Sequence, residues 1–88
     1  MSGRGRARPE VPLSTAAGVK AIDAAWISEE RLSRARSGEL LKMAPEICIE
    51  VLSPSNTRGE IEQKKSLYFQ AGAEDVGVRF GWANAVLS

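Results

Sequence analysis

The stretch Glu46 to Ser53, EICIEVLS, constrains this chain more than any other. Ile47, Ile49 and Val51 alternate onto one face of a strand, and Glu46, Cys48, Glu50 and Leu52 onto the other. Near-continuous apolar character predicts burial on both faces, as in a sheet covered by helices. Pro45 stands at the start, where a missing N–H is least costly, and Ser53-Pro54-Ser55-Asn56 brings the strand to a stop. Such a strand needs neighbours, and the 88 residues must supply them within one small domain whose stability is marginal without a partner or a second copy.

Residues 19–28, VKAIDAAWIS, predict one neighbouring strand, with Ile22, Ala24 and Trp26 on one face and Ala21, Asp23, Ala25 and Ile27 on the other. Ser28 then suits a helix N-cap, followed by Glu29 and Glu30 in the first turn, and the helix is expected to end near Gly38. A second helix is expected over 57–71, capped by Asn56 or Thr57 and closed by Gly72. Beyond it, Val76, Val78 and Phe80 alternate, but the intervening glycines weaken a strand assignment. Residues 1–17 read as a flexible basic arm, since Arg4, Arg6 and Arg8 precede any acid and no apolar face forms. A sharper reading of the same arginines is an arm that tracks a nucleic-acid backbone without reading sequence.

Composition removes several chemistries. The chain has no histidine, so imidazole can serve neither as base nor as ligand, and zinc is disfavoured. Any metal chemistry must run on oxygen ligands, which points to magnesium or manganese. Cys48 is the single cysteine, so no internal disulfide forms and a reducing cytoplasm is the expected compartment. The apolar runs are too short to span a membrane, the start lacks a signal-peptide core, and neither a P-loop nor a dinucleotide fingerprint is present. The net charge of +1 does not by itself mark a nucleic-acid binder.

An acid stands on each of the two apolar strands: Asp23 beside Ala21, Ala25 and Ile27, and Glu50 beside Cys48 and Leu52. An ionised carboxylate buried alone is costly and normally finds a cation, a hydrogen-bond network or a metal. Two acids side by side on adjacent strands repel unless a divalent cation lies between them. Spacing alone leaves a solvated or salt-bridged acid as the commoner outcome. On the second helix, Ile61, Leu67, Tyr68, Phe69 and Ala71 form an apolar side, and Lys64 lies roughly 30° from its centre. That ammonium would either meet the acids or snorkel to water. Tyr68 is expected to pack on the sheet with its hydroxyl partnered, and Cys48 to be a small core residue.

APEICIEVLSPSN followed by EQKKSLYFQAGAED resembles the core of the Uma-two family of restriction-type endonucleases, in the PD-(D/E)XK nuclease superfamily. The resemblance runs over residues 18–76 and is carried by EVLSP together with the correctly placed Lys64 and Tyr68. It implies an α/β (α+β) fold, a mixed β-sheet flanked by helices, that cuts DNA phosphodiester bonds with Mg2+ or Mn2+. Carried over by residue, Asp23 matches the aspartate of a Pro-Asp motif whose proline is here Ile22, Glu50 the second acid, and Lys64 the lysine. The resemblance makes Asp23, Glu50 and Lys64 catalytic, Asp23 and Glu50 metal ligands, and puts Leu52 where the superfamily's strand lysine stands.

Two departures shape the expected domain. The arginine-rich start offers no counterpart to the family's first third, and after Ala71-Gly72-Ala73 the end GVRFGWANAVLS departs from the family strand. The expectation is a partial nuclease-like core over 18–80 and a divergent tail over 81–88, truncated at both ends, with the sharp loss of resemblance at the C-terminal end suggesting a shifted reading frame or a truncated gene. Exposed sheet edges would then favour self-association into a homo-oligomer, and fold ancestry would outlast catalysis. Two alternatives stay open: a non-catalytic DNA-binding or protein-interaction remnant on the same scaffold, and a chain with no stable fold.

Overall fold

The structure, a computed structural model, describes residues 4–80, so the divergent tail expected over 81–88 lies outside the described residues. Its elements in chain order are β1 (Gly5–Thr15), β2 (Gly18–Ser28), α1 (Glu29–Ala35), β3 (Arg36–Ser37), β4 (Leu40–Leu41), β5 (Ile47–Leu52), α2 (Arg58–Gln70) and β6 (Asp75–Phe80). The strands form one mixed sheet in the order β3-β4-β1-β2-β5-β6. β1 pairs antiparallel with β2, and β2 with β5, while β5 and β6 run parallel through the α2 crossover. The expected mixed sheet with helices is present.

The start of the chain corrects the sequence reading. Residues expected as a flexible arm form β1, paired with β2 from Gly5↔Ser28 to Thr15↔Gly18. Pro9 and Pro12 hide this strand, yet both fit, because β4 meets β1 only at Leu13 and leaves most of that side unpaired. Val11 and Leu13 then alternate into the core, at 6% and 0% exposure. The hairpin turn is tight: Gly18 takes φ +99, and the Thr15 hydroxyl donates to the Gly18 carbonyl at 2.6 Å.

Local signals place both helices. Ser28 caps α1 by accepting from the Arg31 N–H, although α1 closes at Ala35, short of the expected Gly38. Gly38, at φ +65, instead turns the short β3–β4 hairpin. Thr57 and Glu60 form a reciprocal capping box at the start of α2. Gly72, at φ +115, closes its end, where the Ala73 N–H reaches the Tyr68 carbonyl and the Gly72 N–H the Phe69 carbonyl. The ambiguous segment after it is strand β6, with Val76 buried.

One core lies on one face of the sheet. Ala25, Ile27 and Cys48 from the strands pack with Leu32 and Ala35 of α1 and Leu67 and Tyr68 of α2. The opposite face corrects the expectation of two-sided burial for β5: Ile47 and Val51 are 37% and 48% exposed. Phe69, expected on the apolar side of α2, is also exposed. Both helices cover the same face, so among the described residues nothing covers the other.

Candidate active site

The site begins where a ladder ends. β2 and β5 pair through Trp26↔Ile47, Ala25↔Cys48 and Ala24↔Ile49, and the next opposed residues are Asp23 and Glu50. There side chains replace backbone pairing. The Asp23 carboxylate accepts from the Val51 N–H at 2.7 Å, and Glu50 Oε2 accepts from the Asp23 N–H at 3.4 Å. Each acid thus satisfies a backbone donor left by the parting strands.

Glu50 is 3% exposed, the one buried charged residue among those described. Its Oε1 accepts from Lys64 Nζ at 2.8 Å, and its Oε2 from the Tyr68 hydroxyl at 3.0 Å. Helical spacing explains the pair, since positions four apart share a face and α2 lies over β5. The donors offset what burial of a lone carboxylate would cost. In return the Glu50 hydrogen bond holds the Lys64 pKa above its usual value, so the ammonium stays charged. Burial, reinforced by the Glu50 charge, pushes the Tyr68 phenol up and the Cys48 thiol to about 12, so both stay protonated. A cavity of about 10 Å³ beside Glu50 and Lys64, walled also by Asn56, Glu60 and Lys65, has room for about one water.

The structure therefore brings Asp23, Glu50 and Lys64 together. Leu52 points into the core at 5% exposure and leaves the lysine position to α2. Arg4, Arg6 and Arg8 are not part of this cluster. Arg6 and Arg8 stand on β1 opposite Ile27 and Ala25, and the Arg4 carbonyl accepts from the Glu29 N–H. Ser53 ends β5 through Asn56, as turn chemistry suggests.

Two contributions were not assigned from sequence. Tyr68 was expected to find a partner, but that partner is Glu50 itself. Arg31 holds the site's scaffold by donating to the Ala44 and Gly72 carbonyls at 3.0 and 2.7 Å, beside Glu46 and Glu74. Burial would raise the Glu46 pKa, but hydrogen bonds from Ser28 and the Arg31 charge outweigh it and leave it lowered. Only long-range folding brings residues 28, 31, 46 and 72 together, so local pattern carries no trace of this clamp.

Asp23 and Glu50 supply hard oxygen donors with no sulfur or nitrogen, which suits a magnesium-type cation. Among the described residues no hydrogen bond engages Asp23 Oδ1, and no group of three or more His, Cys, Asp or Glu residues gathers as a complete cage. Such a cation would keep several positions for water or phosphate oxygens.

Comparison with known proteins bears on the family and the fold. No curated protein matches. Among solved structures, a crystal structure of a "putative nuclease belonging to DUF820" from Anabaena variabilis ATCC 29413 superposes with a TM-score of 0.69 at 17% identity. The match covers 84% of this chain and 43% of that one, so this chain spans less than half the length of that relative. Among the described residues no helix is long and apolar enough to cross a membrane. The model of the Uma2 family, described as "Putative restriction endonuclease", matches residues 3–84. The family thus reaches into both segments that the sequence reading placed outside it. With nearly its whole length matched, the chain belongs to the Uma2 family.

Proposed function

We propose that this chain carries a metal-dependent nuclease site that hydrolyses DNA phosphodiester bonds. One observation carries the reading: Asp23 and Glu50 meet where β2 and β5 part, with Lys64 donating to Glu50. Asp23 and Glu50 would hold Mg2+ or Mn2+, which when bound polarises a phosphate and acidifies water. The chain's own residues supply the rest. Lys64 keeps its proton, neutralises Glu50, and presents N–H donors toward charge that develops on a phosphate oxygen or an attacking water. Tyr68 fixes the Glu50 carboxylate from the buried side. Arg4, Arg6 and Arg8 would add non-specific attraction for a phosphate backbone, weakening as salt rises.

Metal-dependent cleavage of plasmid DNA by the wild type, with D23A and K64A lowering the rate at least tenfold, is the expected result. No cleavage by a folded wild type in Mg2+ or Mn2+ removes the activity. A second reading draws on the same site: both Glu50 oxygens are already engaged by donors, as in a structural hub of a non-catalytic remnant. Under that reading Mg2+ leaves the melting temperature unchanged, whereas a metal site raises it by linkage and E50A abolishes the rise.

A further inference from the structure

The β1–β2 ladder inverts its faces at a single residue pair. From Gly5 to Pro9 the core-facing pairs are Arg6↔Ile27 and Arg8↔Ala25, with Ile27 and Ala25 buried. After the inversion they are Val11↔Ile22 and Leu13↔Lys20, with Val11, Leu13 and Ile22 buried. Strict alternation would put Val11 and Ile22 on the same face as Pro9 and Ala24. The missing pair in an otherwise unbroken register is Glu10 opposite Asp23. Glu10 has φ +50, the one left-handed non-glycine among the described residues.

That region is unfavourable for residues other than glycine and asparagine or aspartate, and such conformations persist where the surroundings over-determine them, commonly at functional sites. Here the consequence can be read directly. At the inversion β2 turns out of its ladder with β5, so the Asp23 N–H points at Glu50 and its carboxylate at the Val51 N–H. We infer that Glu10, through its left-handed backbone, is a positioning residue that aims Asp23 at the reaction centre from the neighbouring strand. Its consequence for chemistry rests on the nuclease reading of Asp23 and Glu50; its structural effect does not.

The test separates the two in the metal-free protein by amide hydrogen exchange at Val51, whose N–H is held by Asp23. E10G and E10N both accept a left-handed backbone and should keep Val51 exchange within twofold of wild type. E10V does not, and should speed Val51 exchange at least tenfold while the Ile49 amide, two residues back on the same side of β5 and opposite Ala24 in the β2–β5 ladder, stays slow. Mn2+ affinity, read by titration calorimetry, should fall at least tenfold in E10V and hold in E10G. Unchanged Val51 exchange in a folded E10V overturns the inference. Should E10V fail to fold, E10G and E10A decide it: the inference expects E10G to be the more stable, and equal midpoints in urea overturn it. Absence of Mn2+ binding by the wild type sinks the nuclease reading and leaves the Val51 result standing.

Discussion

At the scale of single residues, Glu50 sets the energetics because it is charged, buried and satisfied from several sides. Its two side-chain partners differ in exposure, and that difference separates stability from chemistry. Tyr68 is fully buried, so Y68F strips a donor from a buried carboxylate and should cost about 1–3 kcal/mol of stability. The Lys64 side chain is 39% exposed, so water replaces part of its bond and K64A should cost less than Y68F. Under the proposed nuclease reading the order reverses for cleavage, where K64A should lose more than Y68F. Urea denaturation beside a cleavage rate for each variant checks both orders. Glu46 gives a pH prediction. Its pKa is lowered on folding, so its contribution is present above the ordinary value of 4.5 and lost as pH falls through the folded value. S28A removes the hydroxyl donor, so the melting temperature of S28A should approach that of the wild type as the pH drops below 4.5 and through the lowered folded value.

At the scale of elements, sequence signals succeed wherever the physics is local. Thr57, Glu60 and Gly72 fix α2 within a residue or so of its expected span, because caps act on orphan N–H and C=O groups close in sequence. T57A should cost about 1 kcal/mol in urea denaturation, with helix content otherwise retained. β5 was legible for the same reason: Cys48, Glu50 and Leu52 point inward as alternation requires. β1 was not, since Pro9, Pro12 and the left-handed Glu10 break the pattern that marks a strand. Lys64 could be placed near the apolar side of α2, but snorkelling and pairing look alike until Glu50 lies beneath it.

At the scale of the whole molecule, the sheet among the described residues has one covered face and one open face. Trp26, Ile47, Ile49 and Val51 share the open side, and the solved relative is more than twice as long as the part matched here. An exposed apolar sheet surface of this kind favours association. V51K places a charge at a position 48% exposed, and should lower self-association in sedimentation while changing stability by no more than about 0.5 kcal/mol.

The sequence alone determined the central β5–turn–α2 unit, the residue types of the site and the exclusion of imidazole chemistry. Each follows from alternation, caps or composition, which act over a few residues or none. It also selected Asp23, Glu50 and Lys64, through strand and helix periodicity joined to family resemblance. Only the tertiary structure decided that these three meet, that Tyr68 completes the Glu50 network, and that the arginine-bearing start is a strand of the sheet. Those facts depend on which strands lie side by side and where their ladder parts. Long-range pairing sets both, and nothing in a linear pattern records it.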